Sequence, residues 1–336
     1  MKSKVLSFLE RVLFGASLSF AALSLCAVAQ DAPQPQPAPG LTQPKPPAIP
    51  SKQKTTAPAA TPESAGSSTA SQASSHNIPA AAERHFHQAV QMERDGDLQG
   101  ASDEYKAAIK EYPDYFEAHY NLGRIYLDEK GYTEATAELT TAVGLRPDDA
   151  RAHNNLGMAL KHNRDLNGAI AQYQQAVRLD PKLATAQGGL ADVLYAKRDF
   201  NGAVQHYRAA LAIQPNSAVL HMNLASALDD AGKPDEAIAE YKEAIRLEPK
   251  NASAHYNLAI FYLRRKDTAT AIAELRQAAK LSPDWPTPHI MLTNLQKDSD
   301  PKAALDECVI ADGLTNDAKL HNLCTDLQRK VQQGSQ

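Results

Sequence analysis

The sequence predicts an all-α fold, a right-handed α-solenoid of repeated helix-turn-helix units. Three observations support it: prolines recur every 34 residues, alanines recur at fixed distances before them, and amphipathic helical patterns fill the space between. The prolines are Pro113, Pro147, Pro181, Pro215, Pro249 and Pro283. A globular domain with a single core does not require helices to end at even intervals. In a stack of similar units each unit ends where the next begins, so the helix ends recur at a fixed spacing.

The second helix of each unit is marked by an alternation of small and large residues. An alanine lies twelve residues before each proline, a tyrosine or leucine follows four residues later, and a second alanine follows three residues after that. In the third unit these residues are Ala169, Tyr173 and Ala176. Spacings of 4, 3 and 7 place all three on one helical face, which predicts a tightly packed hairpin.

The first helix of each unit carries a leucine followed by a glycine or alanine, with a large residue one turn later. In the second unit these residues are Leu122, Gly123 and Tyr126. Small residues at fixed places allow two helices to approach closely, and the large residues fill the remaining space. Turn signals such as Lys130-Gly131 then separate the first helix from the second.

Together these positions resemble the tetratricopeptide repeat family, whose pattern is W-x2-L-G-x2-Y, then A-x3-F, then P, within 34 residues. Six clear repeats begin at Ala82, Phe116, Ala150, Ala184, Ala218 and Ala252. A degenerate seventh begins at Pro286, where Ala304, Cys308 and Ala311 match only if one residue is missing from the turn. The resemblance covers about residues 82–311 and implies about seven stacked helical hairpins.

Histidine stands where the family pattern has tryptophan. The positions are His85, His119, His153, His221, His255 and His289, with Gln187 in the fourth repeat. A zinc site needs its nitrogens within about 2.1 Å of one ion, and side chains placed one per repeat on helices about 8–10 Å apart do not converge in this way. We therefore interpret them as packing residues between adjacent first helices, and we predict no metal and no cofactor.

Residues 1–29 have the features of a secretory signal peptide. Lys2 and Lys4 precede a mainly apolar run from Val12 to about Val28, which ends in an A-x-A site at Ala27-Val28-Ala29. Cleavage after Ala29 predicts a periplasmic or secreted protein. Two alternatives would anchor the chain to a membrane: retention of the apolar run, or acylation of Cys26 in a segment that loosely resembles a bacterial lipobox.

The segments that flank the repeats are predicted to serve as a linker and a cap. Residues 30–80 hold 11 of the 21 prolines and almost no large apolar residues, a composition that favours a disordered linker. Residues 312–336 contain one more amphipathic helix, which would cover the open end of the array. Its apolar stripe includes Cys324, and Cys308 lies on the preceding antiparallel helix, so these two cysteines are a candidate disulfide.

Charge and motif content exclude several function classes. The formal net charge is −4, and the segment 1–29 carries three basic side chains and one acidic side chain, so the mature chain is near −4 − 2 = −6. No basic patch interleaves with aromatics, and we predict no nucleic acid partner. The sequence has no H-E-x-x-H, no G-x-S-x-G, no phosphate-binding glycine loop and no C-x-x-C. We predict that the protein is not an enzyme and has no small-molecule substrate.

The candidate partner site is a column of asparagines on the first helices, which line the concave side of such a stack. These are Asn121, Asn155, Asn223 and Asn257, with Gly189 interrupting the series, and beside them stand Tyr120, Asn154, Met222 and Tyr256. An asparagine offers a donor and an acceptor to a peptide backbone. The array is similar to the asparagine-ladder repeats of O-linked N-acetylglucosamine transferases, which implies an extended-peptide surface but no transferase activity.

A second interpretation of the asparagines is that they recur through duplication of the repeat, with some of them forming hydrogen bonds to neighbouring turns.

Taken together, the sequence features favour a protein-interaction scaffold of the cell envelope that binds an extended peptide segment. Two other roles stay open at this point: an assembly factor for pilus or outer-membrane complexes, and a regulatory subunit of an enzyme supplied in trans.

Overall fold

A computed structural model describes residues 78–315 and 317–334, so the predicted signal peptide and nearly all of the predicted linker lie outside the described residues. The described part contains fifteen α-helices and no strand. They are α1 (Ala80–Asp95), α2 (Leu98–Glu111), α3 (Phe116–Asp128), α4 (Tyr132–Leu145), α5 (Ala150–His162), α6 (Leu166–Leu179), α7 (Ala184–Ala196), α8 (Phe200–Ile213), α9 (Ala218–Asp230), α10 (Pro234–Leu247), α11 (Ala252–Arg264), α12 (Thr268–Leu281), α13 (Pro286–Gln296), α14 (Pro301–Leu314) and α15 (Ala318–Gly334).

Consecutive helices pack as seven hairpins, and α15 follows the last of them. Aspartates cap many of these helices, because a carboxylate oxygen accepts an amide that the first turn leaves unpaired. Asp97 accepts from the Gly100 amide at the start of α2, and Asp165 accepts from the Gly168 amide at the start of α6. The all-α solenoid predicted from the 34-residue period is confirmed.

The core is a series of local clusters along the array rather than one central core. The predicted small residues are fully buried, and Tyr173 packs in one cluster with Ala169 and Ala176. A Cβ added at Gly123 would lie 2.6 Å from Leu139 in the second helix of the same repeat. The absence of a side chain at this position therefore allows α3 and α4 to approach closely.

The seventh repeat is shorter than the others, as its pattern predicts. In the other repeats the bonded side chains that join the two helices lie 19 residues apart, whereas His289 and Glu307 lie 18 apart. After it, α15 packs against α14 and buries Leu320, Cys324 and Leu327. The predicted capping helix is confirmed, and it covers the apolar edge of the last hairpin.

The candidate disulfide lies in the contact between α14 and α15. The sulfurs of Cys308 and Cys324 are 2.12 Å apart, and both side chains are buried among Ala304, Ala311 and Leu320. A covalent link here would fix the capping helix to the final repeat. Among the described helices, none combines the length and the apolar character that a membrane crossing requires.

Candidate partner-binding face

The first helices of successive repeats, namely α1, α3, α5, α7, α9, α11 and α13, lie side by side along the array. We call the surface that carries the asparagine column the first-helix face. The structure divides the four predicted asparagines into two pairs. The side chains of Asn121 and Asn155 form hydrogen bonds with neighbouring side chains of the array. The side chains of Asn223 and Asn257 form no hydrogen bond with any described residue.

Asn121 belongs to a polar network that joins the first two repeats. Its Nδ2 donates to the Tyr105 hydroxyl at 3.1 Å, and that hydroxyl donates to a Glu93 carboxylate oxygen at 3.0 Å. The other Glu93 oxygen accepts from Arg124 at 2.7 Å. The amide nitrogen of Asn121 is thus engaged between α3 and α2, as the duplication interpretation expects.

Asn155 also bonds to a tyrosine of the preceding repeat, but to one on its first helix. Its Nδ2 donates to the Tyr120 hydroxyl at 3.2 Å, and its Oδ1 accepts from Asn154 at 3.0 Å. The Tyr120 ring stacks on Phe116 with the ring centroids 5.8 Å apart. Three of the predicted partner-binding residues therefore bond to one another across α3 and α5. Burial is the main cause that raises the pKa of Tyr120 above its usual value.

At Gly189, where the column is interrupted, the ring of Tyr173 from the preceding repeat lies against the helix backbone. A Cβ at Gly189 would lie 2.5 Å from the ring of Tyr173, and one at Gly157 would lie 3.0 Å from the same ring. The tyrosine is buried between the first helices of repeats three and four. In this structure the Tyr173 ring therefore occupies the space that a side chain at Gly189 would need.

Asn223 and Asn257 are only partly buried. Within the described residues neither side chain makes a hydrogen bond to another group of the chain. Val219 lies one helical turn before Asn223 and is 54% exposed. These residues place free amide groups and an apolar contact on α9 and α11.

The two other predicted residues of this region are less available than expected. Met222 is only 8% exposed and packs in a cluster with Ala218 and Ala254, so it fills the space between repeats. Tyr256 is partly buried, with its ring centroid 4.8 Å from that of the buried Trp285. The sequence predicts Met222 beside the asparagine column as a partner-binding residue, and the structure places it largely within the packing between adjacent repeats.

Charges at the carboxyl ends of α9 and α11 are paired with each other. Arg264 binds Asp229 at 2.8 Å and Asp230 at 2.6 Å, and Arg265 also binds Asp229. The Tyr195 hydroxyl of the preceding repeat donates to Asp230. The surface next to Asn223 and Asn257 therefore carries two carboxylates and two guanidinium groups that neutralise each other.

The histidines have a different role from the one expected. In the second repeat, Nδ1 of His119 lies 2.6 Å from a Glu138 oxygen on the second helix, and Nε2 donates to the Pro113 carbonyl at 2.8 Å. The same pair of contacts, to the second helix and to the proline that ends the preceding repeat, recurs at His153, His221 and His289. The histidines are therefore not packing residues between first helices. An acidic residue or glutamine stands at a nearly constant distance after each histidine, and that sequence signal would have indicated the bridge.

The fourth repeat keeps the bridge with its two residue types exchanged. Gln187 donates to the Pro181 carbonyl at 3.4 Å, and its amide oxygen lies 2.8 Å from Nδ1 of His206. His206 therefore belongs to the bridge of the fourth repeat. Within residues 78–315 and 317–334 no three metal-ligating side chains are grouped so that they could hold an ion.

The fold and this face define a protein-interaction scaffold built from helical repeats. Tetratricopeptide repeat models match residues 94–158, 160–218 and 222–286, together more than half of the chain. The chain belongs to the tetratricopeptide repeat family.

Several solved structures are similar to this chain. A tetratricopeptide repeat protein from Parabacteroides merdae is 17% identical, with a TM-score of 0.58 over 74% of this chain and 99% of that one. PilF from Pseudomonas aeruginosa is 18% identical, with a TM-score of 0.53 over 65% of this chain and 98% of that one. A MamA protein is 26% identical over 52% of this chain and 94% of that one, with a TM-score of 0.48. No curated protein matches this sequence.

Proposed function

We propose that this protein is a non-catalytic scaffold of the cell envelope that binds an extended segment of another protein on the first-helix face. The observation that carries the proposal is the row of amide and tyrosine side chains that recurs along this face at the repeat spacing. Amides bond to peptide backbone without requiring particular side chains, and tyrosines add contact area at low entropic cost.

The envelope location rests on the sequence of residues 1–29 and on the paired cysteines. A basic start, an apolar middle and an A-x-A site direct a chain to secretion, and structural disulfides persist mainly in oxidising compartments. The non-catalytic role is supported by the lack of catalytic motifs in the sequence. The solved repeat structures indicate the fold alone, so they do not decide between a general adaptor, an assembly factor and a regulatory subunit.

Site-specific photo-crosslinking in intact cells tests the proposal. A photoreactive amino acid is placed at Arg151 or at Val219, which occupy the same position on the first helices α5 and α9 and are both exposed. The control position is Lys242, which is exposed on the second helix α10. We expect an adduct to a distinct protein from Arg151 or Val219 and none from Lys242.

The identity of the captured protein separates the three roles. A pilus or outer-membrane component would indicate an assembly factor, and an enzyme bound near its regulatory surface would indicate a regulatory subunit. Adducts from Lys242 alone would place the partner on the opposite side of the array and would contradict the proposal.

A further inference from the structure

We infer that the bound segment lies over repeats five and six, on Asn223 and Asn257, and that the first three repeats do not hold it. This inference rests on the proposed function, since it names the part of the first-helix face that receives the partner. It also names the chemistry of the segment, which is extended, uncharged and aliphatic at one position.

Repeats two and three have already engaged the amide donors of their column asparagines. Asn121 donates to Tyr105 at 3.1 Å and Asn155 donates to Tyr120 at 3.2 Å, both across repeat boundaries. A ligand that took these donors would remove the hydrogen bond that the Tyr105 or the Tyr120 hydroxyl accepts. Such an exchange gains little, because one hydrogen bond replaces another.

Repeats five and six present donors and acceptors without such competition. Asn223 and Asn257 make no hydrogen bond to other described residues through their side chains, and both are partly exposed. Packed helices lie about 8–10 Å apart, and an extended chain advances about 3.3 Å per residue. Two amides on neighbouring first helices therefore match backbone groups about three residues apart in an extended segment.

The surroundings indicate which segment fits. Asp229 and Asp230 are neutralised by Arg264 and Arg265, so the face offers no net charge to attract a charged side chain. Val219 lies one helical turn before Asn223 and is 54% exposed, so it can make an apolar contact with an aliphatic side chain of the segment. An uncharged extended segment with one aliphatic residue satisfies both conditions.

Another protein fits this site better than the chain's own linker. Residues 30–80 hold 11 prolines, and proline has no amide hydrogen to donate to an asparagine oxygen. The exposed Val219 would also contact an aliphatic side chain of the bound segment, and residues 30–80 contain few large aliphatic side chains.

The test uses the full-length mature protein and peptides selected on it from a random dodecapeptide display library. The first variant carries Asn223→Ala with Asn257→Ala. The matched control carries Asn121→Ala with Asn155→Ala, the same chemical change at the same repeat position. We expect the first variant to weaken peptide binding about tenfold with an unchanged melting temperature. The control should bind normally and melt at a lower temperature.

The possible results distinguish failure of this inference from failure of the proposed function. If the control loses affinity and the first variant does not, the segment lies over repeats one to three and the inference is wrong. If the first variant binds normally but melts earlier, the two asparagines hold the repeats together, which also overturns it. Selection of no peptide at all would count against the proposed function itself. A selected peptide that binds at least about tenfold more tightly after deletion of residues 30–77 would identify the linker as the occupant and would overturn the assignment to another protein.

Discussion

At the scale of single residues, the effect of a glycine on stability depends on what lies opposite its position in the helix. Gly189 is required by the ring of Tyr173, whereas Gly144 on α4 has no atom within 4 Å of where a Cβ would stand. Both glycines lie in helices, where glycine is less favourable than alanine. Only at Gly189 does close packing, against the Tyr173 ring, offset this cost.

Replacing each of these glycines with alanine tests this difference. We expect Gly189→Ala to lower the free energy of unfolding by about 1–3 kcal/mol, because the new methyl group overpacks against Tyr173. We expect Gly144→Ala to raise it by about 0.5 kcal/mol through helix propensity alone. Urea unfolding followed by circular dichroism measures both. Stabilisation by both variants would mean that the Tyr173 ring does not hold this position.

The histidine bridges depend on protonation. Burial alone would lower the pKa of His119, but hydrogen bonds to Glu138 and to the Pro113 carbonyl outweigh this effect and raise it. Burial is the main cause that lowers the pKa of His206, which faces Gln187 instead of a carboxylate. The two bridges should therefore respond to pH with opposite sign.

Glutamine substitution at each position tests the sign. With a raised pKa in the folded state, the contribution of His119 is fully present below its unfolded pKa of about 6.5 and is lost as the pH rises through the folded value. The stability lost in His119→Gln should thus be larger at about pH 6 than at about pH 8. For His206→Gln the order should reverse, because a lowered pKa favours the neutral ring. Thermal melts at the two pH values give the comparison, and equal losses at both would contradict it.

At the scale of elements, the capping helix α15 differs from the helices before it. It packs on α14, and among the described residues it has no following repeat to bury its second side. Leu320, Cys324 and Leu327 supply its contact with the array. A helix with one packed face depends strongly on each contact, so a covalent link has a large effect here.

Loss of the link between Cys308 and Cys324 should release this helix first. The bridge closes an interval of 16 residues, which the chain-entropy model converts to about 3 kcal/mol of stability. Counting reactive thiols on unfolded, unreduced mature protein should find none from this pair. A Cys308→Ser, Cys324→Ser variant should melt at a lower temperature and lose the difference between oxidised and reduced samples. Two reactive thiols in the mature parent would show that the bridge is absent.

At the scale of the whole molecule, stability comes from contacts between neighbouring repeats. Polar bonds join successive first helices from Glu93–Arg124 at one end, through Lys161–Asp192, to Asp230–Arg264 near the other. Each repeat contacts little beyond its neighbours, as stacked repeats do. A partner that binds two adjacent repeats therefore stabilises them locally.

We propose that the segment before the repeats sets the cellular location of the protein. We expect the intact mass of protein isolated from its host to correspond to a chain that begins at Gln30, after cleavage at Ala29. Cell fractionation should then place it in the periplasm or the medium. A mass that includes an acylated Cys26, or the complete segment 1–29, would replace the periplasmic or secreted location with a membrane anchor.

The sequence by itself determined the repeat length, the two helical faces, the seven hairpins and the capping helix, because each depends on spacing within one repeat. Only the tertiary structure decided which asparagines are free. Asn121 and Asn223 occupy equivalent positions, yet one bonds to Tyr105 while the other has no partner among the described residues. It also showed that histidines bridge helices and that the Tyr173 ring fills the space beside Gly189. These outcomes depend on how side chains from different helices and neighbouring repeats meet, and a pattern read one repeat at a time does not contain that information.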